Sequence, residues 1–468
     1  MPLSIVTTPM AKPAWRAGEE RDFGDRVLLC LFVLLFGYAF FGKGFAYIGV
    51  PPIFVSEIAL LFGLAALLLS GCWLAVLMTL PSLAIVALIG WVLLRTLPNI
   101  GLYGVDALRD SVLAVYGLYA FIIAALLVQK PRRLGWLLQH YSRFALIYGF
   151  SGAMLAYATN SLSHLLSWPF SGVPVVYVRM GEAAVHLGGA AVFVLLGLRR
   201  VPLLWLVMIL VGFLMISVSR GAMLAFAVPL CVAAVLGGRL HRIVPILFGG
   251  GAVLAVVMVL GLQIETEGGR VIGPAQLVNN VESLVGHSEA ANLDGTKTWR
   301  LRWWQTIQDY TLRGPYFWTG KGFGVNLAES DGFTLGQEPG VAPVRAPHNA
   351  HLHILARAGV PGLALWVLVC ATWFLMLASR GLAARANGDA DWVKLFIWIG
   401  CYGLAMLINA SFDVALEGPM LGIWFWCIIG VGIGLTLIYD TGRDILLTRP
   451  VAALPLQRLR GSSAQTGR

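Results

Sequence analysis

Charge is scarce in this chain. Only 12% of its 468 residues are Asp, Glu, Lys or Arg, where soluble globular domains carry about 25%, so there is too little polar surface to wrap a water-soluble fold. That shortage excludes an ordinary soluble enzyme or binding domain. Cysteine is sparse as well: Cys30, Cys72, Cys231, Cys370, Cys401 and Cys427 all fall inside or beside apolar runs, with no close paired spacing. Neither a disulfide framework nor a zinc site is indicated. Acidic residues are the scarcer charge, 23 against 33 basic ones. The surplus does not mark a nucleic-acid partner, because the Lys and Arg lie in short clusters between apolar stretches rather than along one face. No internal repeat or heptad array is present, and the segment before Arg26 is too polar to be the apolar core of a signal peptide.

Apolar runs are abundant instead. Hydrophobic residues make up 58% of the chain and its mean hydropathy is +0.80. A bilayer core needs about 20 apolar helical residues to cross, and runs near that length recur twelve times from Val27 to Tyr439. The expected fold is therefore all-α and integral to the membrane, with about twelve transmembrane helices. Residues 1–26 form an N-terminal tail, 27–262 carry helices one to nine, and 263–350 form one large insert. Residues 351–439 carry helices ten to twelve, and 440–468 form a C-terminal tail. Lys and Arg settle the orientation expected of this arrangement. Lys130, Arg132 and Arg133, then Arg199 and Arg200, Arg239 and Arg242, and Arg380 and Arg385 all fall on the side of the termini, which is thereby cytoplasmic. The opposite short loops hold only Lys43, Arg95, Arg109, Arg179 and Arg220, so the insert faces outward.

That insert has composition of its own. Trp299, Trp303, Trp304, Tyr310, Tyr316, Phe317 and Trp318 supply enough aromatic surface to pack as a small subdomain or to lie on the headgroup layer. Thr298 to Tyr310 reads as helix. Leu312 to Gly340, rich in glycine, reads as loop. The insert ends on Ala346-Pro347-His348-Asn349-Ala350-His351-Leu352-His353, which re-enters an apolar run. Pro347 is suited to open a helix whose first turn would hold His348 and Asn349, with free backbone N–H groups that favour an anion. A second reading of the same residues has Asn349 capping the helix and three histidines on a wet surface. A spacing of three puts His348 and His351 on one face and leaves His353 off it. No carboxylate or cysteine completes a helical metal set with them.

The pattern His348-Asn349-x-x-Leu352-x-x-Leu355-x-x-x-Gly359-x-x-Gly362 resembles the signature of the O-antigen ligase and polymerase superfamily. Two further blocks are similar to that family, in the same order along the chain. Ser219-Arg220-Gly221 lies at an outer junction of two apolar runs, and Arg300-Leu301-Arg302-Trp303-Trp304 precedes Gly320-Lys321-Gly322-Phe323-Gly324. Arg300 matches the family arginine better than Arg302, and shares a helical face with Trp304. The plainer readings are that Arg220 anchors a tight turn at the headgroups and that Arg302, Arg313 and Lys321 form a solvated or lipid-facing surface. The glycine stretch lacks the strand and helix of a nucleotide-binding loop.

The resemblance implies a membrane glycosyltransferase of the GT-C type in the bacterial inner membrane, with its site on the periplasmic face. Its donor would be an undecaprenyl-pyrophosphate-linked glycan, its acceptor lipid A core or another glycan, and its surroundings membrane lipid, with no nucleic acid and no cofactor. Arg220 and Arg300 would bind the pyrophosphate and His348 would activate the acceptor hydroxyl, with Asn349, His351, Trp304, Lys321 and Arg345 as possible supporting residues. A planar guanidinium fork bonds phosphate oxygens two at a time and stays charged, and an imidazole is a base suited to neutral pH. A metal-dependent transferase would show clustered outer carboxylates. Glu57, Glu182, Asp413 and Glu417 are scattered, so each reads as structural and the reaction as metal-independent. The motifs do not separate a ligase, toward which the reading leans, from an O-antigen or exopolysaccharide polymerase of lipid-linked repeats, while a lipid-linked glycan transporter would need charges along the spans that are nearly absent.

Overall fold

The computed structural model describes residues 21–50, 53–163, 166–168, 172–217, 219–260, 264–265, 271–272, 291–334 and 344–442. Most of both tails and the segments 273–290 and 335–343 lie outside the described residues, so the expectations for the tails are not addressed by it. The principal elements are helices: α1 (Phe23–Phe41), α2 (Val55–Leu69), α3 (Leu80–Thr96), α4 (Val105–Val115), α5 (Leu118–Gln129), α6 (Arg132–Ser163), α7 (Met180–Leu195), α8 (Leu203–Ile216), α9 (Arg220–Leu236), α10 (Leu240–Val259), α11 (Ala291–Leu312), α12 (Ala350–Ala386), α13 (Ala390–Ala410) and α14 (Pro419–Asp440). Among the described residues, strand is confined to two antiparallel pairs of two-residue strands, Gly49–Val50 with Ile53–Phe54 and Ile264–Glu265 with Val271–Ile272.

Each apolar run falls on a helix, because a backbone buried in hydrocarbon must satisfy its polar groups internally. Among the described residues, six helical segments are long and apolar enough to cross a membrane: Phe23–Phe41, Leu80–Tyr103, Val105–Gln129, Ala350–Ala386, Ala390–Ala410 and Pro419–Asp440. Val55–Leu69, Met180–Leu195, Leu203–Ile216 and Arg220–Leu236 are shorter apolar helices. The protein is thus an all-α, multi-pass membrane protein.

Helices apolar all round belong inside a bundle, and α5, α7 and α14 are buried along nearly their whole length. Small residues let them approach. A methyl group added at Gly430 would come within 2.4 Å of the Ala120 carbonyl oxygen, and one at Gly189 within 2.7 Å of the Tyr402 ring, the close backbone approach that membrane helices use in place of a hydrophobic drive. α2 instead exposes Leu61, Phe62, Leu68 and Leu69, a face suited to lipid. At the end of the bundle rich in Lys and Arg, buried Arg133 donates to Asp25 (2.7 Å) and Asp22 (2.8 Å), tying the start of α6 to the cap of α1.

The insert packs at the other end, where α12 bends. Gly359 breaks the helix with φ 71° and ψ −171°, and Pro361 follows it. Pro361 has no N–H to give the Arg357 carbonyl. Gly322 N–H bonds that carbonyl instead (3.0 Å), Lys321 N–H bonds the Ala356 carbonyl (2.7 Å), and the Trp91 indole bonds the Ala358 carbonyl (2.9 Å). The glycine loop is therefore a brace for the bend. A methyl group at Gly320 would sit 2.3 Å from the Arg357 backbone, at Gly322 2.4 Å from Asn99 and at Gly324 2.5 Å from Tyr103.

Candidate active site

The bend directs the first turns of α12 toward the connector between α13 and α14, residues 411–418, and three remote segments meet there. The first carries His348. Contrary to the expected first-turn position, His348 lies outside the helix with φ 54°, because Asn349 is the cap: its Oδ1 accepts from His351 N–H (3.0 Å) and Leu352 N–H (3.1 Å). Capping thereby uses the free N–H groups expected to hold an anion. The left-handed turn aims the imidazole at Asp413, with Nδ1 3.6 Å from Oδ1 and both side chains partly exposed.

The second segment is α11. Arg300 donates from Nη1 to the Phe412 carbonyl (3.0 Å), and the Trp304 indole donates to the Pro347 carbonyl (2.8 Å), one residue before His348. Arg302 is exposed, so Arg300 is the one of the two arginines that reaches the connector. The third segment is the start of α9. Gly221 lies so close to Phe412 that a methyl group would meet its Cβ at 2.6 Å, which sets the neighbouring Arg220, half-buried, at the same connector.

His351 holds the connector from below. The Trp366 indole donates to His351 Nδ1 (3.0 Å), so the proton of a neutral ring sits on Nε2, which faces Ser411 Oγ at 3.1 Å. Ser411 in turn donates to the Leu407 carbonyl (3.0 Å).

Two of the expected supporting residues are engaged elsewhere. Lys321 pairs with Asp331, donates to Ser330 Oγ (2.7 Å) and lies 4.5 Å above the Tyr310 ring. Its side chain is 12% exposed, so the surface expected of Lys321 is corrected to a clamp within the insert, whereas Arg302 and Arg313 do lie on the surface. Arg345 pairs with Asp106 (3.2 Å) and donates to the Gly324 carbonyl (3.1 Å). His353, set off the face of His348, is buried: Arg357 Nε donates to its Nε2 (2.8 Å) while Nδ1 lies 3.1 Å from Glu417.

The carboxylates are less scattered than their sequence positions suggest. Burial pushes Asp413 upward, but the adjacent His348 imidazole and the charge of Arg179, 3.5 Å away, outweigh it and hold Asp413 below the usual carboxylate range. It is an anion at any physiological pH. Burial pushes Glu417 up to about 8, with the Arg357 charge opposing and Asp110 and Asp413 adding to the rise, so at neutral pH the carboxyl beside His353 is mostly protonated. Sequence reasoning gave Asp413 no role beside the base and passed over Arg179, since Arg179 and Asp413 are 234 positions apart. The one signal was that both fall in loops whose few basic residues put them on the expected outer side.

Residues 205–367 match the family model described as O-antigen ligase. The chain carries an O-antigen ligase domain. That domain is of the O-antigen ligase and polymerase family of membrane glycosyltransferases, and the family implies lipid-linked glycan substrates. No curated protein is matched. The matched segment takes in Arg220, Arg300 and His348, whereas the connector bearing Ser411, Phe412 and Asp413 lies beyond it. The ligase-type domain therefore leans on helices contributed by the rest of the chain.

Proposed function

We propose that the protein transfers a glycan from an undecaprenyl-pyrophosphate carrier to an acceptor sugar hydroxyl, with inversion and without a metal. The reading rests on one observation above all: Arg300 and His348, from distant segments, border the connector at Phe412 and Asp413, and Gly221, next to Arg220 in the chain, packs on the same Phe412. In the proposed step Asp413 accepts from Nδ1–H and leaves Nε2 of His348 with its lone pair. Nε2 takes the acceptor hydroxyl proton, the hydroxyl oxygen attacks the anomeric carbon, and the bond to the carrier oxygen breaks with its electron pair going to the pyrophosphate. Arg220 and Arg300 balance that charge, each charge-assisted hydrogen bond contributing about 1.5–3 kcal/mol.

The chain crosses a bacterial inner membrane twelve times in this reading, its basic end cytoplasmic and the insert end periplasmic. Lipid A core is the preferred acceptor and makes the protein an O-antigen ligase. A polymerase that joins one lipid-linked repeat to another uses the same groups. Purified protein given lipid-linked glycan with and without lipid A core separates them: a single core-dependent product marks a ligase, a ladder formed without core a polymerase. His348→Ala is expected to lower the transfer rate by about 10² to 10⁴-fold while donor affinity stays within a few-fold of wild type. Full turnover by that variant would remove His348 from the chemistry.

A further inference from the structure

Trp299 is an aromatic residue of the insert, next to His348, whose surroundings do not account for it. Its ring centroid is 6.4 Å from that of His348, with 60° between the planes. From behind it is wedged by Trp303 at 5.2 Å and 67° and by Phe333 at 6.2 Å and 75°. All three contacts are steep, so among the described residues no ring lies flat on Trp299. Trp303 differs: it is fully buried, stacked on Phe333 at 8°, and its indole donates to Asp331 (2.7 Å). The Trp304 indole is likewise used, on Pro347. Trp299 is only half-buried, and among the described residues its indole N–H makes no hydrogen bond. A rigid, partly open aromatic ring with an unused donor thus stands beside the proposed base and one residue before Arg300.

A pyranose ring is the kind of ligand such a surface fits. One face of the sugar presents C–H groups that lie on an aromatic face, while its rim of hydroxyls seeks donors and acceptors, as Trp supplies an apolar body with one polar tip. We infer that Trp299 is the platform on which the acceptor sugar rests, its plane delivering the attacked hydroxyl to His348. This inference rests on the transfer reaction proposed above and names the group that recognises the acceptor.

Equilibrium binding tests it apart from turnover. A soluble lipid A core oligosaccharide and, separately, a soluble repeat-unit oligosaccharide are titrated into the detergent-purified full chain carrying Trp299, Trp299→Phe, Trp299→Leu or Trp299→Ala. For whichever saccharide the wild type binds, Trp299→Phe is expected to hold affinity within about threefold, whereas Leu, which fills apolar space without an aromatic face, weakens it tenfold or more. Donor binding by the Leu variant serves as the check that it is folded. Equal saccharide affinity for the Leu variant and wild type, or no binding of either saccharide by wild type, overturns the inference. Binding that follows the aromatic ring in a wild-type protein that transfers nothing leaves the platform standing and sinks the transferase reading instead.

Discussion

Glu417 is the residue whose protonation the fold controls most directly. It stands in the connector just before α14, faces His353, and is pushed by burial up to about 8. The folded protein therefore binds this proton more tightly than the unfolded chain does. Its contribution to stability is full below the ordinary glutamate range and is lost as pH rises through about 8. Other groups titrate too, so the useful quantity is a difference. The melting temperature of wild type minus that of Glu417→Gln should fall between pH 5 and pH 9, bending near pH 8. A flat difference would show that some other group carries the titration. Composition gave no hint of this, since a carboxyl in a loop between two spans reads as solvated, and only the placement of His353 and the α14 terminus encloses it. The same limit applied to Asp413. The residue type was visible and its neighbours were not, because His348 and Arg179 reach it from segments far away in the chain.

Among elements, α12 is the one whose shape the site depends on. Gly359 combines φ 71° with ψ −171°, a region open essentially to glycine alone, in which another residue is strained by about 1–3 kcal/mol. A side chain there would also strike the Phe317 carbonyl, 2.5 Å from the position of an added methyl. Gly359→Ala should therefore lower the thermal midpoint in detergent and reduce transfer together, since the bend aims His348. Gly90→Ala in α3, where an added methyl meets nothing within 4 Å, is the matched control and should change neither. A Gly359→Ala protein as stable and active as the control would mean that the bend is incidental. Apolar length was enough to locate the helices, because a long hydrocarbon-bound run has no alternative to helix. Breaks inside the runs were hidden by that same uniformity. The apolar run from His351 to Ala378 bends at Gly359, and that from Cys72 to Leu94 divides into Trp73–Leu77 and α3 beside Pro81. The apolar run from Ser111 to Val128 likewise divides, between α4 and α5 at Gly117. In each case glycine or proline marks the place, but neither says whether a break, a brace or an unbroken helix results.

Across the whole molecule, one buried ion pair joins the first third of the chain to the ligase-type domain. Arg357 is fully buried, and its Nη2 lies 2.9 Å from Asp110 in the middle of α4. Its Nη1 donates to the Gly322 and Val325 carbonyls (3.2 and 3.0 Å), and Asp110 also accepts from Gly324 N–H (3.0 Å). The same carboxylate thus fixes both the braced loop and the arginine below it. Asp106, one turn earlier, pairs with Arg109 and Arg345 but is 43% exposed. Solvent screens pairs of that kind to about 0–1 kcal/mol, whereas removing one partner of a buried pair strands the other charge and costs about 3–5 kcal/mol. Asp110→Ala should therefore destabilise the protein severely and Asp106→Ala hardly at all. A stranded charge can also be relieved by removing it. The double variant Asp110→Ala with Arg357→Met should melt above Asp110→Ala alone, because methionine fills the site without a charge to desolvate. If the double variant melts no higher than the single one, Asp110 acts through the Gly324 backbone and not through Arg357, and the tie between the two parts of the molecule is a loop contact, not an ion pair.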